Sequence, residues 1–160
     1  MEISELYQIY LEHPVITTDS RDCPEGSIFL ALKGASFDGN KFADMALEKG
    51  CAYVIIDEKE YAKEGDERYI LVEDSPPPFK ELAREHRRHF NIPVVGITGT
   101  NGKTTTKELV SAVLSEKYNV MFTQGNFNND VGVPKTLFRL NAEHEIAVVE
   151  MGASHPGDIE

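Results

Sequence analysis

Val94-Val95-Gly96-Ile97-Thr98-Gly99-Thr100-Asn101-Gly102-Lys103-Thr104-Thr105 passes from an apolar, β-branched run into a glycine-punctuated turn, and from there into an amphipathic pattern. Such a run predicts a buried strand, and the pattern that follows predicts a helix. Between them, glycines at 99 and 102 let the backbone curl without a Cβ in the way, so that several N–H groups converge on one anion. A helix origin adds unpaired N–H groups and the positive end of a dipole. The longer pattern G-x-x-x-x-G-K-[ST] would need glycine at 97, where Ile97 stands. The shorter G-x-x-G-K-T is what is present, and the strand before it and helix after it supply its context. The expected phosphate-binding set is Gly99, Thr100, Asn101, Gly102, Lys103, Thr104 and Thr105. In it Lys103 reaches the β- and γ-phosphates of ATP and acts catalytically, while the Thr104 hydroxyl ligates Mg²⁺.

Outward from this loop the second half alternates. A helix is expected over about 103–116, with Leu109, Val110, Val113 and Leu114 facing inward. A short strand at Val120-Met121-Phe122 follows, then a loop from Gly125 to Asn129. Pro134 suits the first turn of a helix running to Leu140, and Ile146-Ala147-Val148-Val149 is a further strand. Strand–helix–strand–helix–strand implies a parallel sheet. Glu150, directly after the last strand, stands at the edge where open α/β sheets bind ligands, and is the second expected Mg²⁺ ligand. Three strands are few for such a domain. Pro156-Gly157-Asp158-Ile159-Glu160 predicts the start of another helix, so the expectation is a domain cut short.

Towards the N-terminus, Ser75-Pro76-Pro77-Pro78 is the strongest break. Phe79, Leu82, Ala83, His86 and Phe90 recur at helical spacing, which predicts a linker helix over 79–90. His86 and His89, beside Arg87 and Arg88, are read as a solvated face. The expected organisation is an α/β N-terminal domain over 1–78, the linker helix, and a parallel-sheet domain over 91–160. Within the first, Ile3, Leu6, Tyr7 and Tyr10 predict a helix over 3–12. Ile28 to Leu32, Ala52 to Ile56 and Tyr69 to Val72 predict strands, and 41–49 a helix ending at Gly50.

The chain has 160 residues and a formal net charge of -11. Residues 1–90 hold 11 Lys+Arg against 19 Asp+Glu, and residues 91–160 hold 5 against 8. Neither half offers the basic footprint of a nucleic-acid binder. Cys23 and Cys51 have no metal-like spacing and read as free thiols. No stretch approaches a membrane span, and the acidic start Met1-Glu2-Ile3-Ser4-Glu5 lacks the pattern of a secretory signal, so a cytoplasmic protein without membrane insertion is expected. Asn126, Asn128 and Asn129, between Gly125 and Gly132, can donate and accept, and are candidates for sugar, peptide or phosphate contacts. His155 is a weaker candidate for metal or substrate.

The segment Gly96–Glu108 resembles the central domain of the Mur ligases. Gly125-Asn-Phe-Asn-Asn-Asp-Val-Gly-Val-Pro-Lys-Thr-Leu137 and Glu150-Met-Gly-Ala-Ser-His-Pro-Gly-Asp-Ile159 are similar to segments of that family's D-alanyl-D-alanine-adding branch. Thr18-Asp-Ser-Arg21, Gly26-x-Ile-Phe-Leu-Ala-Leu-Lys-Gly34 and Phe37-Asp-Gly39 resemble its UDP-sugar-binding domain. The resemblance implies a small N-terminal α/β domain that binds the UDP-sugar, followed by a truncated P-loop ATPase domain. It implies ATP and Mg²⁺ as cofactors, UDP-MurNAc-tripeptide and D-Ala-D-Ala as substrates, and amide formation through an acyl phosphate. Ser20, Arg21 and Lys33 are then expected near the uridine diphosphate, since guanidinium groups suit phosphate oxygens. The family's carbamylated lysine, its later ATP contacts and its C-terminal domain would fall beyond Glu160, so residues 1–160 alone are expected to lack ligase activity. Competing readings are a diaminopimelate- or lysine-adding Mur enzyme, a folylpolyglutamate-type ligase, an unrelated P-loop kinase, or a binding module.

Overall fold

A computed structural model describes residues 2–34, 37–72 and 76–153, with the backbone alone at 76 and 77. Ser75, His155 and the helix start expected at 156–160 lie outside the described residues. The chain divides into two compact units, 1–82 and 83–160.

The first unit opens with α1 (Ile3–Glu12), as the periodicity predicts, burying Leu6, Tyr7 and Tyr10. Its sheet is wholly parallel, in the order β1 (Ile16–Thr17), β2 (Ile28–Leu30), β5 (Tyr53–Ile56), β6 (Tyr69–Leu71). Strands covered on both faces read as continuous apolar runs, and Ile28, Phe29 and Leu30 are all fully buried. Burying side chains of this size stabilises by roughly 1.5–3 kcal/mol each. A two-residue antiparallel pair, β3 (Lys33–Gly34) with β4 (Phe37–Asp38), projects separately. The helix expected over 41–49 is a 3₁₀ turn, Gly39–Phe42, continued by α2 (Ala43–Glu48). Asn40, buried inside that turn, donates from Nδ2 to Asp38 and Asp57 at 2.9 and 2.6 Å and accepts from the Asp57 N–H at 3.1 Å. That network ties the turn to the chain leaving β5.

The second unit holds a three-stranded parallel sheet in the order β7 (Val94–Ile97), β9 (Ile146–Glu150), β8 (Val120–Phe122). Register places Ile97 beside Glu150, so the glycine turn that follows leaves β7 at the level where β9 ends. α4 (Lys103–Ser115) and α5 (Gly132–Leu137) are the two connecting helices. Three sequence expectations fail here. β7 is a strand but not a buried one, with Val94 and Val95 40% and 37% exposed. Leu109 and Val113 are 64% and 72% exposed, and the residues of α4 that are buried are Lys107 and Ser111. The apolar pattern misleads because the inner face of α4 runs down to the site, where polar groups are needed. His86, expected on a solvated face, is buried on α3 (Pro76–Arg88) and donates from Nε2 to the Leu140 carbonyl at 3.0 Å. Burial holds its pKa below the ordinary histidine value of 6.5. Its ring stands edge-on to Phe90 at 4.9 Å between centroids and tilted against Phe138 at 5.9 Å.

Candidate phosphate-binding site

The site is built on a turn whose backbone only glycine adopts without strain. Gly99 has φ +140° and Gly102 φ +77°, the latter at the N-cap of α4. With this turn, residues 99–102 are exposed at the helix origin instead of packed into the sheet. Lys103, the first residue of α4, donates to the Gly99 carbonyl at 2.7 Å and thereby closes the loop on itself. A cavity of about 650 Å³ opens here, lined by Thr98, Gly99, Thr100, Lys103, Asn128, Gly152 and Ala153. Its concavity and its helix-origin N–H groups suit a chain of phosphates.

Opposite the loop stands Glu150. It is 1% exposed, which excludes the reading of a solvated strand-end carboxylate. One oxygen, Oε1, accepts from Thr104 Oγ1 at 3.1 Å and from Asn128 Nδ2 at 2.7 Å. Its backbone N–H donates to Thr123 Oγ1, itself fully buried, at 2.9 Å. The second oxygen, Oε2, is buried with no hydrogen-bond partner among the described residues, and the Lys107 ammonium stands 3.9 Å from it. A buried carboxylate oxygen left unpaired is costly unless something else meets it. An aimed carboxylate beside a threonine hydroxyl and a phosphate cradle fits Mg²⁺, a hard cation that keeps several waters and takes few protein ligands. Glu150 and Thr104 are the residues that would hold it.

The asparagines divide. Asn128 is bound to Glu150, and its carbonyl accepts from the Gly152 N–H at 2.6 Å. Asn129 Oδ1 accepts from Gly132 N at 2.8 Å and Val131 N at 3.3 Å, so its side chain secures the entry to α5. Asn126 is exposed. Gly132 is required by close approach, since a Cβ there would stand 2.5–2.7 Å from the Phe127 backbone.

In the first unit the candidates are less enclosed. Ser20 is buried, and its carbonyl accepts from Lys49 Nζ at 2.8 Å. The Arg21 side chain is 86% exposed and forks onto Asp19, at 2.9 Å from Nε and 2.7 Å from the terminal nitrogen. That guanidinium, through its hydrogen bonds, holds the Asp19 carboxyl far below the usual carboxylate range. Lys33 pairs with Glu58. Both basic side chains are therefore engaged locally, in positions open to solvent. Sequence reading missed Lys107, Thr123 and Asn40. Lys107 carried a signal: it lies one helical turn beyond Lys103 and so on the face of α4 that meets the site.

Comparison with known proteins follows this division. Residues 97–160 match the Mur ligase middle domain, and residues 14–95, just over half of the chain, match the Mur ligase family, catalytic domain. The chain belongs to the Mur ligase family. A UDP-N-acetylmuramoyl-tripeptide–D-alanyl-D-alanine ligase of Synechocystis sp. is 44% identical over 90% of this chain and 32% of its own length. The crystal structure of the MurF ligase of Thermotoga maritima in complex with ADP superimposes with a TM-score of 0.83 at 40% identity, covering 93% of this chain and 34% of that one. MurF of Acinetobacter baumannii gives 0.85 at 34% identity over 97% and 36%. The mixed α/β architecture with parallel sheets is theirs. The chain spans about a third of the length of the curated relatives it matches. No helix among the described residues is long and apolar enough to cross a membrane.

Proposed function

We propose that this chain carries the UDP-sugar-binding unit and part of the ATP-binding unit of an ATP-dependent amide ligase. The ligase would add D-Ala-D-Ala to UDP-MurNAc-tripeptide in a cytoplasmic step of peptidoglycan precursor synthesis. The observation that supports this most is the pairing of the Gly99–Thr104 turn with a buried, half-satisfied Glu150. A carboxylate is a poor electrophile, so amide formation in water needs activation, and phosphorylation of the tripeptide's terminal carboxylate supplies it. Loop N–H groups and the α4 origin cradle the phosphates. Lys103 exchanges the Gly99 carbonyl for a phosphate oxygen and stabilises charge on the group in transfer. Mg²⁺ would be held by Thr104 and Glu150 and, when bound, would supply charge neutralisation to the phosphates. Ser20, Arg21 and Lys33 are proposed for the uridine diphosphate, and Asn126 and Asn128 for the substrate side of the cavity.

Calorimetric titration of the 160-residue chain tests the reading. ADP binds more tightly with Mg²⁺ than in EDTA, and Glu150→Gln removes most of that increment. UDP-MurNAc-tripeptide binds separately, through the first unit. The chain alone releases no phosphate from ATP in response to the two substrates. Failure to bind either ligand would overturn the reading.

A further inference from the structure

Lys107 is 0% exposed, a rare state for a lysine and one that requires partners. It has three. Its Nζ donates to the Gly125 carbonyl at 3.0 Å, lies 2.8 Å from Glu108 Oε1, and stands 3.9 Å from Glu150 Oε2, the carboxylate oxygen that lacks a hydrogen bond. The ammonium thus touches the loop that begins at Gly125 and faces the side of Glu150 turned away from Thr104 and Asn128. Nothing in the phosphate chemistry proposed above uses it. We infer that Lys107 is a positioning residue: one fixed cation, carried on the phosphate-loop helix, that holds both the 125–129 loop and the Glu150 carboxylate in the arrangement a nucleotide-bound cation meets.

The physical reasoning is geometric. Glu150 has its Oε1 aimed by two hydrogen bonds, while Oε2 has this one charge partner. A buried carboxylate without a counter-charge turns toward solvent, because desolvation outweighs what two hydrogen bonds return. Asn128 donates to the same carboxylate, so a reoriented Glu150 also loses its grip on the loop. Truncating Lys107 simultaneously leaves the Gly125 carbonyl without its donor. Loop and carboxylate therefore loosen together, although neither residue adjoins Lys107 in sequence.

This inference rests on the reading of Glu150 as a cation ligand, and the test separates the two. The 160-residue chain is compared with Lys107→Met and Glu150→Gln by amide hydrogen exchange and by ADP titration with Mg²⁺ and in EDTA. In Lys107→Met, exchange across 125–129 should accelerate at least tenfold while β9 amides stay within twofold of wild type. The Mg²⁺-dependent gain in ADP affinity should fall at least fivefold, with affinity in EDTA kept within threefold. An unchanged loop, or a Mg²⁺ gain that stays or rises, overturns the positioning role; a rise would mean that Lys107 competes with the cation. Equal acceleration in β9 overturns it too, as a plain loss of fold stability. If Glu150→Gln leaves the Mg²⁺ gain intact, the cation reading fails on its own account. Should Lys107→Met not fold by circular dichroism, Lys107→Gln takes its place in every measurement.

Discussion

Glu150 in the second unit is nearly inaccessible and is met by Thr104 and Lys107 from α4, by Thr123 just after β8 and by Asn128 from the 125–129 loop. Arg21 in the first unit projects into solvent and pairs with Asp19, two residues away. Both are candidate ligand contacts, yet they represent different physical strategies. A buried, cross-linked polar group is fixed before any ligand arrives, so little ordering remains to be done on binding. An exposed arginine in a local fork is inexpensive to maintain and must exchange one carboxylate for a phosphate when ligand comes. The phosphate-side contacts should therefore be sensitive to any change in the surrounding frame, and the sugar-side contacts should tolerate change with loss of affinity alone.

The largest effect expected of this contrast is at Lys103. Lys103→Ala removes the one side-chain cation of the loop that can meet the terminal phosphates. Charge-assisted contacts of this kind are the strong ones, so Mg–ADP affinity should fall by roughly 100-fold. The melting temperature should hardly move, because the lost contact in the free protein is a partly exposed bond to Gly99. Titration calorimetry and a thermal melt together check this. A large melting shift would mean that the loop is held by Lys103 instead of by its glycines.

Next in size is Gly132→Ala. The added methyl meets the Phe127 backbone at 2.5–2.7 Å, and backbone cannot swing aside as a side chain can. Overpacking of this kind costs about 1–3 kcal/mol. The strain falls on the 125–129 loop, so chemical denaturation should show the loss, and Mg–ADP affinity should weaken along with it. Stability lost with affinity intact would separate that loop from Glu150.

Much of this was legible in the sequence. Strands such as Ile28–Leu30, Val94–Ile97 and Ile146–Val149 are β-branched or apolar runs long enough to read directly, although Val94 and Val95 are exposed where the run predicts burial. The phosphate turn was legible because its glycines encode backbone angles, which are local. What was not legible depends on distant partners. β1, β3 and β4 are two residues each, too short for any period to show. Leu109 and Val113 looked inward-facing because apolar spacing is normally a core signal, whereas the inner face of α4 carries Lys107 and Ser111. A buried lysine becomes intelligible once Gly125 and Glu150 are brought beside it, and only folding does that. His86 was misread for a related reason: its arginine neighbours suggested solvent, while the Leu140 carbonyl that accepts its hydrogen bond lies far along the chain.

His86 offers a smaller, pH-dependent effect within the second unit. Its folded pKa is lowered by burial, so the unfolded chain takes up a proton at that site more readily than the folded one. Its contribution to stability is present above the ordinary value of 6.5 and is lost as pH falls below that value toward the folded pKa. Unfolding of the second unit, followed by exchange of β9 amides, should therefore become easier over the interval just below pH 6.5. His86→Gln keeps a donor for the Leu140 carbonyl and removes the titration. The variant should show a flatter profile over that interval, and an unchanged profile would assign the acid sensitivity elsewhere.

The smallest structural effect, and the sharpest test of the contrast, is Arg21→Ala. The side chain contributes an exposed ion pair that water screens, so the melting temperature should be indistinguishable from wild type. UDP-MurNAc-tripeptide affinity should nevertheless drop by about tenfold, the scale of one lost charge-assisted phosphate contact. Mg–ADP affinity should stay unchanged, since Arg21 belongs to the other unit. Asp19 adds an internal control. Asp19→Asn frees the guanidinium from its present acceptor without removing it, so sugar-nucleotide binding should hold or tighten if Arg21 has to leave Asp19 to reach phosphate. Weaker binding in Asp19→Asn would mean instead that the fork itself presents Arg21 to the ligand. In that case the sugar-side site is preorganised after all, and the two units differ only in depth.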